Sequence, residues 1–177
     1  MAKIGLFYGS NTGNSEFVAD MIKGEFDKII PNLVEVFDIG QVNVEKLLDY
    51  EMLIIGCPTW YIGQLQEDWE IAYPRLEELD FSGKRVAIYG IGDQFGYSEN
   101  FCDAIGILGH KVEEQGGELV GFTPVIDYEF DSSLGVEDGV FLGLALDEDN
   151  QSELTPGRVS EWVSLLIEEF ELAVATP

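Results

Sequence analysis

The sequence predicts an α/β protein, a three-layer sandwich in which a five-stranded parallel sheet carries helices on both faces. Three observations point there. Short apolar runs recur at Ile4–Tyr8, Met52–Gly56, Lys84–Tyr89 and Glu118–Phe122, and uninterrupted runs of this kind suit strands buried on both faces. The stretches between them place apolar residues at helical spacing. The first run also passes directly into a loop of hydroxyls, amides and glycine, Ser10-Asn11-Thr12-Gly13-Asn14-Ser15. Strands that alternate with helices and cross over right-handedly give a parallel sheet wound in both directions.

The elements follow in order. After the polar loop, Phe17, Val18, Met21, Ile22, Phe26, Ile29 and Ile30 mark the first helix. Pro31-Asn32 turns the chain, and Leu33–Phe37 alternates as an edge strand with one solvated side. Val44–Leu48 reads as a short helix. Glu67–Leu79 is helical, with Pro74 expected to break or kink it near Tyr73. Phe101, Ala104, Ile105, Leu108 and Val112 mark a long amphipathic helix that Gly116-Gly117 stops. Residues 124–140 then interrupt the fifth strand, whose second half is expected at Phe141–Leu146. Val159, Trp162, Val163, Leu166 and Phe170 mark the last helix, and Trp69 and Trp162 sit at core spacing.

At 177 residues, 46% of them hydrophobic, the chain is expected to form one domain over 1–177, large enough for a real core. No apolar stretch reaches membrane-spanning length, and no signal peptide precedes the first strand, so a cytosolic location is expected, or a plastid stroma after loss of a transit peptide. Cys57 and Cys102 lack metal-type spacing and read as reduced thiols, and no metal site is expected. Nine basic against 34 acidic residues give a formal charge of −25. That charge repels nucleic acid and anionic membranes and steers the chain toward basic partners.

The loop at 10–15 is a seat for phosphate. A loop feeding a helix N-terminus presents unpaired backbone N–H groups and the positive end of the helix dipole. Ser10, Thr12 and Ser15 add hydroxyl donors, Asn11 and Asn14 add amide donors, and Gly13 lets the backbone come close. There is no lysine and no G-x-x-x-x-G-K-[ST], which argues against a Walker-type site. There is no G-x-G-x-x-G, which argues against a dinucleotide. A terminal phosphomonoester held by neutral donors fits. Elsewhere no acid–base set stands out, and the single histidine, His110, reads as a solvated helix residue.

The stretch Ser10–Ser15 resembles the [ST]-x-T-G-x-T phosphate loop of flavodoxins, with Ser15 where threonine is usual. Gly56-Cys57-Pro58-Thr59-Trp60, Gly92-Asp93-Gln94 with Gly96-Tyr97, and Gly143–Gln151 resemble further flavodoxin segments in the family's order. The resemblance covers essentially the whole chain. It implies strand order 2-1-3-4-5, with ligand above the carboxyl ends of strands 1 and 3, and the inserted loop of the long-chain type at 124–140. It implies FMN as cofactor, its phosphate held by Ser10, Asn11, Thr12, Gly13, Asn14 and Ser15. The rest of the site would draw on Pro58, Thr59, Trp60, Tyr61, Gly63, Gly92, Asp93, Tyr97, Asn100, Phe101 and Asp147, with Tyr97 on the outer face of the isoalloxazine and Trp60 on the inner.

The function this implies is a low-potential one-electron carrier, not an enzyme, shuttling between semiquinone and hydroquinone. A reduced, anionic flavin near Asp93 in so acidic a chain is disfavoured, and about 1.36 kcal/mol moves a one-electron potential by about 59 mV. The resemblance also implies that a peptide of the Trp60 loop reorients on reduction, the matching position being Tyr61–Ile62. A bulky Tyr61 before a β-branched residue raises the cost of unusual backbone there. Expected partners are basic-faced redox proteins such as a ferredoxin–NADP reductase, with photosystem I or nitrogenase in a suitable host, and a monomer is expected. An FMN-dependent NAD(P)H:quinone oxidoreductase is the alternative, opposed by two stacked aromatics and by the acidity. A phosphoacceptor signalling domain is opposed by the lack of an acid after the first strand.

Overall fold

The computed structural model describes residues 3–174. Strand β1 (Ile4–Tyr8) leads into helix α1 (Asn14–Asp27), and β2 (Val34–Asp38) follows. Two 3-10 turns, Ile39–Gln41 and Val44–Asp49, precede β3 (Met52–Trp60), the short β4 (Gln64–Leu65) and α2 (Glu67–Leu76). Then come β5 (Arg85–Ile91), α3 (Asp103–Glu114) and β6 (Glu118–Val120). The insertion contributes β7 (Thr123–Pro124), β8 (Val136–Glu137) and β9 (Val140–Phe141), and β10 (Leu144–Leu146) and α4 (Thr155–Glu169) complete the fold.

The parallel sheet runs β2-β1-β3-β5, and β6 and β10 both pair parallel with β5. This is the predicted order 2-1-3-4-5, with the fifth strand in two pieces. The second piece is shorter than expected. Only Leu144–Leu146 joins the main sheet, while Val140–Phe141 belongs to a separate antiparallel sheet in the order β7-β9-β8. Thr123 Oγ1 donates to the Gly143 carbonyl across the base of the excursion.

Side chains alternate across the sheet and build two cores. Phe7, Leu53, Ile55, Val86 and Ile88 face α2 and α3, with Trp69 and Phe101 packed among them. Ile4, Leu6, Ile54, Ala87 and Tyr89 face α1 and α4, with Trp162. Both tryptophans expected in the core are buried there. Each buried aliphatic side chain contributes roughly 1.5–3 kcal/mol.

The expected break at Tyr73 does not occur. Helix α2 runs through Pro74 to Leu76 and closes with Glu77 N–H on the Tyr73 carbonyl. Pro74 lies two residues from the end and is exposed, so the one hydrogen bond its ring removes lies close to the helix end, where it costs least.

All the helix N-termini face the carboxyl edge of the strands. At that edge β3 outruns its neighbours: Tyr8 pairs with Gly56 and Ile91 with Pro58, so Thr59 and Trp60 stand proud. Among the described residues no helix is long and apolar enough to cross a membrane.

Candidate functional site

The first loop is shaped as the sequence predicts. Gly13 is the N-cap of α1 with φ 91, a left-handed conformation that costs glycine nothing. Its N–H donates to Ser10 Oγ at 2.9 Å, its carbonyl accepts from Phe17 N–H at 2.9 Å, and no side chain caps the helix. The first-turn N–H groups of Asn14, Ser15 and Glu16 therefore lack an intrahelical partner. Asn11, Thr12, Gly13 and Asn14 are exposed and Ser10 is half-buried, whereas Ser15 is 1% exposed. Ser15 Oγ is buried and makes no hydrogen bond within the protein. An orphaned hydroxyl costs roughly 1–3 kcal/mol, and this one belongs to the first turn of α1, the residue that closes the donor loop. The buried Tyr89 hydroxyl donates to the Ser15 carbonyl at 2.9 Å and fixes the residue from below.

The second loop is a tight hairpin in which Trp60 pairs with Gln64. Tyr61 has φ 48 and Gly63 φ 72. Tyr61 thus already occupies the left-handed region that its bulk was expected to resist. The strain is carried in this state and is not reserved for a reoriented peptide. Tyr61 and Ile62 are 66% and 78% exposed, and the Trp60 and Tyr61 rings meet edge-on at 5.8 Å. Thr59 Oγ1 accepts from Ala104 N–H at 3.0 Å, pinning the hairpin to the start of α3. A Cβ on Gly63 would lie 2.7 Å from Asp103 Oδ2.

The third loop winds around Asp93, whose Oδ1 accepts from Gly96 N–H at 2.7 Å, Phe95 N–H at 3.1 Å and Asn150 Nδ2 at 2.9 Å. The Gly96 N–H, more than any other group, holds this carboxyl below the ordinary range, so its charge persists beside the site. Tyr97 is half exposed. Asn100 Nδ2 donates to Asp103 Oδ2 at 2.9 Å, and Gly92 N–H donates to the Leu146 carbonyl at 2.9 Å.

Two residues expected in the site lie beneath it. Phe101 is fully buried, its ring stacked on Phe130 at 5.3 Å. Asp147 is fully buried too. Its Oδ2 accepts from Gln94 N–H at 3.1 Å and Gln94 Nε2 at 2.8 Å, and its Oδ1 accepts from the N–H groups of Asp149 and Asn150. A carboxylate with its lone pairs so fully occupied has none left for a ligand. It braces the third loop.

Sequence reasoning missed the residues that join the loops. Gln94 was noticed only as part of a motif, yet its Oε1 also accepts from Glu129 N–H at 2.6 Å and ties the loop to the insertion. Gln66 and Asp103 were not singled out. Gln66 precedes a first turn bearing Glu67, Asp68 and Glu70, which marks a helix start, but glutamine is not a favoured N-cap. The thiols of Cys57 and Cys102 are buried, and burial pushes Cys57 up to about 12. A concavity of about 420 Å³ lies elsewhere, lined by Phe122, by Ile126 of the insertion, and by Leu154 and Trp162; none of the predicted site residues lines it.

The flavodoxin family model matches residues 6–162. The chain belongs to the flavodoxin family. It is 54% identical to a flavodoxin of Synechocystis over 93% of this chain and 95% of that protein. It is 46% identical to flavodoxin 1 of Escherichia coli, covering 97% of each. Among solved structures, a Fusobacterium nucleatum flavodoxin bound to flavin mononucleotide superposes with a TM-score of 0.90 at 36% identity, over 96% of this chain and 99% of that one. A short-chain flavodoxin associated with a bacterial microcompartment shares the fold at 22% identity and a TM-score of 0.70. Flavodoxin relatives thus match the chain across all three loops of the candidate site.

Proposed function

We propose that this protein is a low-potential one-electron carrier that binds FMN non-covalently and works between the semiquinone and hydroquinone levels. The observation that carries the reading is Ser15 Oγ, a buried hydroxyl without a partner on the residue that closes the donor loop. A phosphate seated there would accept from Ser15 and from the first-turn N–H groups of α1. The loop's other donors, Ser10, Asn11, Thr12 and Asn14, would surround the remaining oxygens. The Fusobacterium relative's bound flavin mononucleotide supports the same cofactor here.

FMN, when bound, supplies the redox chemistry; the chain supplies position and electrostatics. Trp60 and Tyr97 would flank the ring system, with Pro58, Thr59, Tyr61, Gly63, Gly92, Asp93 and Asn100 completing its surroundings. The depressed Asp93 carboxyl and a net charge of −25 disfavour added negative charge on the ring. That lowers the second one-electron potential. The same acidity suits a partner with a basic face, such as a ferredoxin–NADP reductase, with photosystem I or nitrogenase as further partners in a suitable host. We place the carrier in the cytoplasm as a one-domain monomer.

The test is the absorption spectrum of the purified protein, followed by anaerobic titration with dithionite. A flavin spectrum and two separated one-electron steps are expected. A colourless protein that FMN does not colour would overturn the reading. A single two-electron step coupled to NAD(P)H oxidation would move the assignment to a quinone reductase.

A further inference from the structure

We infer that Gln66 is a positioning residue that locks the phosphate loop to the start of helix α2, and through it to the hairpin that carries Trp60. The inference rests on the phosphate-site reading of residues 10–15. Gln66 is fully buried between the two loops. Its Oε1 accepts from Asp68 N–H at 3.1 Å and Trp69 N–H at 3.3 Å and caps α2. Its Nε2 donates to Asn11 Oδ1 at 2.7 Å and Asp68 Oδ2 at 2.9 Å. The amide cannot be turned over, because its NH2 group would then face two backbone donors and its oxygen two acceptors.

The chain makes room for this contact. A Cβ on Gly9 would fall 2.0 Å from Gln66 Oε1, so only glycine lets the phosphate loop pass over the amide. Trp69, one turn on, donates its Nε1–H to the Gly56 carbonyl at 2.8 Å, and Gly9 N–H donates to the same carbonyl at 3.1 Å. The two loops therefore converge on one carbonyl and one amide. Asn11 is otherwise an exposed residue in a loop without a side-chain cap. Its bond to a fully buried donor holds that loop open in the shape a phosphate needs. The binding geometry is thus prepared before the ligand arrives, which lowers the ordering cost of binding.

The role predicts a loss confined to ligands that carry the phosphate. FMN and riboflavin affinities are measured for the wild-type apoprotein, Gln66→Met, Asn11→Ala and the double variant. Gln66→Met should weaken FMN about tenfold, the size of one lost hydrogen bond, while changing riboflavin by less than about twofold, within the scatter of a near-neutral contact. In the Asn11→Ala background the same substitution should have no further effect on FMN. Amide exchange at Thr12 and Gly13 in the apoprotein should accelerate in Gln66→Met. Equal losses for FMN and riboflavin, or additive losses in the cycle, would overturn the inference and leave Gln66 as a helix cap alone. If Gln66→Met fails to fold, Asn11→Ala removes the same bond from the other side and leaves the cap of α2 whole; amide exchange at Thr12 and Gly13 in its apoprotein should accelerate, and unchanged exchange would overturn the inference. Wild-type protein that binds FMN and riboflavin equally would defeat the phosphate-site reading itself; a discriminating wild type with equally discriminating variants defeats only the role of Gln66.

Discussion

Replacing Ser15 by alanine should move stability and affinity in opposite directions. The buried Ser15 Oγ has no partner in the protein, and an unsatisfied hydroxyl costs roughly 1–3 kcal/mol. Its removal forfeits a few atomic contacts worth about 0.1–0.2 kcal/mol each. The apoprotein should therefore gain about 0.5–2 kcal/mol. For a chain of this length each kcal/mol raises the unfolding midpoint by roughly 2–4 °C. Against that, a hydrogen bond to a charged phosphate contributes about 1.5–3 kcal/mol. The bound state loses this bond while the free state loses its penalty, and the two changes add in the affinity. FMN binding should weaken at least about tenfold, and riboflavin binding should hold. Thermal unfolding of the apoprotein and fluorescence titration with FMN give the two numbers. An apoprotein less stable than wild type, with FMN affinity intact, would show that the hydroxyl serves the fold and not the phosphate.

Four further outcomes follow from the geometry. Tyr61→Val should destabilise the apoprotein by about 1–2 kcal/mol, because a β-branched residue tolerates φ 48 poorly; urea unfolding checks it, and an unchanged midpoint would mean the hairpin is not left-handed in solution. Asp147→Ala should cost about 3 kcal/mol or more in the same assay, since it strands the donors of Gln94 and Asn150; a cost under 1 kcal/mol would refute its bracing role. Of the acids at the site, Glu67 and Glu70 are exposed while Asp68 is tied to Gln66. Neutralising the exposed pair should slow reduction by a basic reductase and flatten its salt dependence, which stopped-flow rates at two ionic strengths would reveal. Asp93 has a folded-state pKa depressed below its ordinary 3.8. Its stabilisation is present above the unfolded value and is lost as pH falls through the lower folded one, so amide protection at Phe95 and Gly96 should survive below pH 4 and fail only at stronger acidity.

The fold was legible because its signals are local and repeated. Each central strand is a run of apolar residues, each helix has one apolar stripe, and the order of the two fixes the topology. The division of the fifth strand was legible as well, but not its details. Nothing in Phe141–Leu146 distinguishes the residues that pair with the insertion from those that pair with β5. Pro74 misled because a proline's effect depends on its distance from a helix end that the sequence does not mark. The polar loop at 10–15 was readable since its hydroxyls, amides and glycine stand together in the sequence and need no distant partner to be noticed. Asp147 and Phe101 were not readable as supports, because a carboxylate or a ring in a family motif looks the same whether it faces ligand or core.

The placement of buried polar groups shows why the site takes this shape. Ser15, Gln66, Gln94, Asp103 and Asp147 are all buried, and all sit at the helix starts and strand ends beneath the three loops. The two apolar clusters, by contrast, consist of hydrophobic side chains throughout. A loop at the mouth of an open sheet has no ladder of its own, so its form must be set by side chains that reach into it. Four of these groups are satisfied: Gln66 by Asn11 and α2, Gln94 by Asp147 and Glu129, Asp147 by Gln94 and by the N–H groups of Asp149 and Asn150, and Asp103 by Asn100 and by Leu134 N–H at 2.8 Å. Each fixes one loop against another. Gln115 Oε1, at the far end of α3, is also unpartnered, but the amide it belongs to donates to the Leu76 and Leu79 carbonyls and so already serves the fold. Among the described residues, Ser15 Oγ is the other buried polar side-chain atom without a partner, and it belongs to the residue that closes the loop of Asn11, Thr12 and Asn14, all exposed. A network that satisfies its other four members and leaves Ser15 open is the physical basis for expecting the cofactor's phosphate, more than its rings, to anchor the complex.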